Sequence, residues 1–175
     1  MDKKRIWELG RDNAETYREK KKLPVVLVVD NVRSLNNIGA MFRTADAFLV
    51  EQVVLCGISS TPPSPEIHKT ALGAEDTVRW SYYHDTMEAI DTLRANGYRI
   101  CCLEQVKGSI ELQKFKVSNA EKYAIIVGNE VDGVDQLVVD ASDVALEIPQ
   151  YGTKHSLNVS VSAALSLWHF FLQLK

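Results

Sequence analysis

The run Val25-Val26-Leu27-Val28-Val29 contains no polar position that could turn toward solvent. A strand with one wet face alternates apolar and polar residues. A continuous β-branched run belongs to a strand buried on both faces, the situation of parallel sheets covered by helices on both sides. Pro24 introduces this strand. Val53–Cys56, Val78–Tyr82, Tyr98–Leu103, Tyr123–Val127 and Val144–Ile148 read as further strands. Helical patterns fall between them, from about Asn37 to Phe48, from Asp85 to Asn96, in turns near Gln136–Val139, and from Ser156 to Leu174. The alternation predicts an α/β fold with a mostly parallel sheet flanked by helices. Three prolines within Thr61-Pro62-Pro63-Ser64-Pro65 exclude a central strand there and predict an irregular loop, followed by a short turn around His68–Leu72.

At 175 residues the chain suits one domain, 1–175, with a core sufficient to fold without disulfides or metal. Its net charge of −3 gives no global basic field. Residues 1–22 differ from the rest, with eight Lys/Arg against five Asp/Glu, and read as a basic helical extension whose amphipathic stretch, 5–20, carries Ile6, Leu9 and Tyr17. Cys56, Cys101 and Cys102 sit in apolar runs without CxxC spacing, as buried thiols do in a reducing cytosol. No secretory signal and no run of membrane-spanning length is visible, so a cytoplasmic protein without a membrane partner is expected. The histidines, His68, His84, His155 and His169, form no ligand cluster, and no metal is expected.

Three stretches carry polar residues at strand–helix junctions. In the first, Asp30 to Asp46, Asn37 and Gly39 open a helix, and Arg43 lies one turn beyond Gly39 on the same face. An Arg held in an otherwise apolar helix needs an anionic partner, and its planar fork suits phosphate. In the second, a buried strand empties into Gly128-Asn129-Glu130, the place where open α/β sheets bind ligands. Gly128 lets a ligand approach the backbone there, and Glu130 supplies a carboxylate. Val134-Asp135 after Gly133 excludes a phosphate-binding P-loop. In the third, Ile148-Pro149-Gln150-Tyr151-Gly152 makes a sharp turn before the last helix, which Ser156 can cap. That helix is apolar almost all round. Leu157, Val161, Ala164, Leu165, Trp168 and Leu172 share one face, while Val159, Leu167, Phe170 and Leu174 lie elsewhere, which predicts burial on two sides and a subunit partner on one of them.

Taken together, N-x-G-x-x-x-R-T, G-N-E-x-x-G and I-P-x-x-G-x-x-x-S-L-N-V, in this order, resemble the SpoU (TrmH-like) family of RNA 2′-O-ribose methyltransferases, across about residues 24–172. The resemblance implies a C-terminal deep trefoil knot, a homodimer, and S-adenosyl-L-methionine (AdoMet) as cofactor. It implies methylation of a ribose in RNA, transfer RNA ahead of ribosomal RNA. By position it assigns Leu103, Glu104, Gly128, Asn129, Ile148 and Leu157 to the cofactor cleft, and Arg43, Asn37, Glu130, Ser156 and Asn158 to catalysis and substrate positioning. Arg43 would clamp the phosphate beside the target ribose rather than act as base, since arginine holds its proton far above neutral pH. Asn37, Ser156 and Asn158 would orient the ribose, and Glu130 would hold Arg43 or its loop. The rival reading is an inactive RNA-binding module that keeps the cleft. Many family members carry Gly near Leu49, where the helix bearing Arg43 ends, and many add an N-terminal RNA-recognition domain; 24 residues before the first strand cannot form one.

Overall fold

The computed structural model describes the whole chain, residues 1–175, apart from the side chain of Ile6. Seven parallel strands form one sheet: β1 (Leu23–Asp30), β2 (Val50–Cys56), β3 (Trp80–Tyr83), β4 (Tyr98–Leu103), β5 (Ile110–Glu111), β6 (Lys122–Val127) and β7 (Val144–Glu147). Their spatial order is β3-β2-β1-β6-β4-β7-β5, and every pairing is parallel. The helices are α1 (Ala14–Glu19), α2 (Leu35–Ala47), α3 (Pro65–Ala71), α4 (Ala74–Thr77), α5 (Thr86–Ala95), α6 (Gln136–Ala141) and α7 (Val159–Leu174).

The β-branched run of β1 divides as a doubly covered strand must. Val25, Leu27 and Val29 join the core under α2 and α7, while Val26 and Val28 join the core under α5. The sheet therefore has two dry faces, which is why its central strands need no polar side. All three cysteines are buried free thiols, and burial pushes Cys56 and Cys101 up to about 12.

Three local expectations are corrected. Residues 5–20 are not one amphipathic helix. A 3-10 turn, Ile6–Leu9, ends at Gly10 (φ 57°), and α1 follows separately. Trp7 and Leu9 are exposed and only Tyr17 packs into the core, so the expected face breaks up; Ile6, also placed on it, has its side chain outside the described residues. The Pro-rich loop ends sooner than expected, because Pro65 takes the first position of α3 behind the Ser64 cap, where a missing N–H costs nothing. The last helix begins at Val159 rather than Ser156. Leu49 itself adopts the left-handed conformation (φ 55°) that ends α2, a position where glycine would be unstrained. The short strand β5, too brief to leave a periodic signal, pairs with β7 at the sheet edge.

Strand β7 inserts between β4 and β5, so the segment leaving it must cross back over the sheet ends to reach α7, which packs on β1 and β6. That return path, residues 148–158, frames the site.

Candidate active site

A cleft of about 490 Å³ opens at the carboxyl ends of β6, β4 and β7. Its size is ordinary for a small-molecule site. Leu103, Glu104, Gly128, Asn129, Ile148 and Leu157 all line it, together with Glu130, Ser156 and Asn158. Sequence reasoning missed Gln105, Val127, Leu146, Glu147 and Ser162, which also line it. Val127, Leu146 and Glu147 end strands or directly precede the loops already singled out, and that position was the available signal.

The loop after β6 is built around Asn129. Its amide exchanges hydrogen bonds with Gly133 (N to O 2.8 Å, and 3.0 Å in return), and its side-chain oxygen accepts from Val131 N at 2.8 Å and Asp132 N at 3.2 Å. Its Nδ2 donates to Asn31 O at 2.7 Å, tying the loop to the end of β1. From the end of β4, Glu104 Oε2 accepts from Val134 N at 2.9 Å. Gly128 is required by this closure. A Cβ there would lie 2.2 Å from Gly133 C and Val134 N, so the residue admits the protein's own backbone as well as bordering the cleft.

Glu130 joins the three sequence stretches. Its carboxylate accepts from Arg33 N at 3.1 Å, Ser34 N at 3.0 Å and Asn37 Nδ2 at 3.1 Å. Burial alone would raise its pKa, but the amide donors of Arg33 and Ser34, with Asn37, outweigh that and hold it below the usual carboxylate range. Asn37 Oδ1 in turn accepts from Asn158 Nδ2 at 3.1 Å. Asn158 Oδ1 caps α7, accepting from Ser160 N at 2.9 Å, a role expected of Ser156. Residues from three distant stretches thus form one side-chain chain, Glu130–Asn37–Asn158. Ser156 stands exposed at the cleft wall beside it. Across the cleft, Gln105 Nε2 donates to His155 O at 2.9 Å and pins the returning segment.

Arg43 is the residue that the chain does not bring in. It is exposed on α2, makes no ion pair among the described residues, and borders a shallow depression with Lys69, Thr70 and Ala164 instead of the cleft. The expectation that it is held inside an apolar helix is corrected: Ile38, Met41, Phe42 and Ala45 take the buried face. Glu130 holds the 33–34 loop and Asn37, and none of its hydrogen bonds reaches Arg43. Gly39, one turn before Arg43, lies against α3, where an added Cβ would stand 2.3 Å from Ile67 O.

Four carboxylates, Glu104, Glu130, Asp132 and Glu147, line the cleft, and neither Lys nor Arg does. The field inside suits a cationic ligand. Among the described residues no group of three His, Cys, Asp or Glu side chains is placed to hold a metal ion.

The chain resembles known proteins along nearly its whole length. A tRNA/rRNA methyltransferase of Borreliella burgdorferi, described as uncharacterized, is 32% identical over 160 residues, 91% of this chain and 68% of that protein. The structure of an AdoMet-bound rRNA methyltransferase from Sinorhizobium meliloti superposes with a TM-score of 0.80 at 22% identity, covering 93% of this chain and 60% of that one. An RNA 2′-O ribose methyltransferase structure gives 0.77 at 27% identity, over 89% and 59% of the two chains. The chain spans 42 to 68% of the length of the first curated relatives it matches. The model of the SpoU rRNA Methylase family matches residues 24–168, which include every motif residue of the site, and the chain belongs to that family.

Proposed function

We infer that this protein is an AdoMet-dependent RNA 2′-O-ribose methyltransferase working as a homodimer. The observation that carries the reading is the Glu130–Asn37–Asn158 chain at the mouth of an acid-lined cleft, since nothing in the fold alone demands that three polar side chains meet there. The cleft fits AdoMet. Its carboxylates favour a ligand of net positive charge, and Leu103, Ile148 and Leu157 offer apolar walls beside the backbone of Gly128 and Asn129. Leu103, Glu104, Gly128, Asn129, Ile148 and Leu157 would hold the cofactor, which supplies an electrophilic methyl group on a sulfonium. The crossing of residues 148–158 back past the loops after β4 and β6 supports the knotted path of the family.

What the chain itself contributes is orientation and charge. Asn37 and Asn158 are already fixed by hydrogen bonds, and Ser156 stands free beside them to receive a ribose hydroxyl. A phosphate is repelled by the carboxylates of the cleft and needs a cation from outside it. Arg43 is that cation. Its depression adjoins the outward face of α7, where Val161, Leu165, Trp168 and Leu172 are exposed in one stripe. Covering this stripe with a second copy puts Arg43 at the interface, where it can clamp the phosphate next to the target ribose.

The test is transfer of labelled methyl from AdoMet to RNA, with transfer RNA and ribosomal RNA offered separately, followed by nucleoside analysis. A 2′-O-methyl nucleoside is expected, from transfer RNA first. AdoMet binding without transfer to either RNA would overturn the enzyme reading in favour of a binding module. Arg43→Lys and Arg43→Ala should each lose activity by orders of magnitude with AdoMet affinity unchanged. Stability should shift by less than about 0.5 kcal/mol, as for a surface residue. Retention of activity in Arg43→Lys would sink the clamp, because lysine keeps the charge and loses only the fork.

A further inference from the structure

At the opposite end of the sheet, around the amino ends of β1, β2 and β6, lies a groove of about 1100 Å³. Six cations line it: Arg18, Lys21, Lys22, Arg79, Lys122 and Lys175. They come from α1 and the segment after it, the approach to β3, the start of β6, and the residue after α7. Two carboxylates share the groove, and one of them, Glu121, is already met by Arg99 at 3.3 Å and by the Tyr123 hydroxyl at 2.6 Å. None of the six cations makes an ion pair among the described residues. Several are nonetheless held in place by groups that leave their charge intact. Arg18 donates to Asp76 O at 3.0 Å, Lys22 lies 3.4 Å from the Tyr17 ring centre, and Lys175 lies 4.7 Å from that of Phe171.

In a chain of net charge −3 whose cleft carries only carboxylates, this concentration of unpaired cations is the opposite of the surrounding field. Small ligands of α/β sheets bind at the carboxyl ends of strands, so a groove at the amino ends is not a second small-molecule cleft. Positive charge spread over four elements, six cations against two carboxylates, matches an extended polyanion with phosphates at intervals. From Lys122 to Val127, β6 spans roughly 17 Å at about 3.3 Å per residue. A base-paired stem carries its phosphates well beyond that length, so one RNA stem can touch both ends of the sheet.

We propose that the groove lined by Arg18, Lys21, Lys22, Arg79, Lys122 and Lys175 docks the phosphate backbone of the RNA stem that flanks the methylated nucleotide. The proposal rests on the reading of RNA as substrate. Its test measures binding, so that it stands apart from methyl transfer.

The probe is an RNA hairpin with a stem of about 20 base pairs, titrated without AdoMet across a salt series. The variant is Lys21→Glu, Arg79→Glu and Lys122→Glu combined, all exposed and all remote from the cleft. A control variant reverses Lys3, Lys107 and Lys116, equally exposed, with the same change in net charge. At about 0.15 M salt the groove variant should bind the hairpin at least tenfold more weakly, and its slope of log affinity against log salt should be shallower by about two. The control should keep the slope, and both should bind AdoMet as the native protein does. A groove variant with native affinity and slope, or a control that loses as much, overturns the proposal. So does native RNA binding by the groove variant combined with lost binding of a polyglutamate peptide, which would assign the groove to an acidic protein. If AdoMet fails to bind the native protein while the groove variant alone loses RNA, the methyltransferase reading fails and the groove stands.

Discussion

Glu130 shows how a single carboxylate can tie distant stretches of a chain together. Its three donors come from the loop after β1 and from Asn37, and they hold its pKa below the ordinary value against the opposing effect of burial. The ionised form is therefore favoured in the folded state. Its contribution is fully present above the unfolded pKa of about 4.3, and it is lost as pH falls through the lower folded value. Protection of the Arg33 and Ser34 amides against hydrogen exchange should hold from neutral pH down to the ordinary carboxylate range and collapse only beneath it, as pH falls through the depressed folded value. In Glu130→Gln at least one of the two amides should be unprotected at every pH, and methyl transfer should fall by tenfold or more. Unchanged protection factors in the variant would show that the loop is held by other contacts.

Among the elements, the loop from Gly128 to Val134 is held by its own backbone. A side chain at Gly128 would meet the Gly133 carbonyl carbon at 2.2 Å, and backbone cannot swing aside as a flexible side chain can. Gly128→Ala should cost about 1–3 kcal/mol in chemical denaturation, the range for overpacking. AdoMet affinity should drop with it, because moving the loop moves Asn129, which lines the cleft. A variant as stable as the native protein would mean that the loop relaxes freely. Leu49 is the contrasting case. It accepts a left-handed backbone at the end of α2 and still packs against the core, so apolar burial there offsets the conformational cost that glycine would avoid.

For the molecule as a whole, α7 is the element with two loyalties. Phe170 is 0% exposed, its ring 5.1 Å from that of Tyr123 and 5.8 Å from that of Phe115, whereas Trp168 is 45% exposed on the outward stripe. The sequence marks both as apolar and leaves open which one meets a partner. Trp168→Asp should give a folded, soluble monomer with native thermal unfolding of its core and little activity. Phe170→Asp should not fold, since it buries an unpaired charge. Sedimentation of the native protein as a monomer at assay concentration, with full activity, would contradict the homodimer.

Periodicity and local chemistry determined much of this protein. A β-branched run such as 25–29 has one economical use, in a parallel sheet covered on both faces, and helix placement followed from apolar spacing and from caps such as Asp85. The motif stretches were legible for the same reason, as polar residues standing at the carboxyl ends of strands. Position in space was not legible. That Asn37, Glu130 and Asn158 are joined and that Lys21, Arg79 and Lys122 share one groove are consequences of strand order, and that Gly128 accommodates the chain's own loop is decided by how residues 128–134 close. Strand order is set by long-range pairing, which side-chain periodicity does not encode. A residue's pattern records which face it buries; only the packed sheet decides what lies opposite.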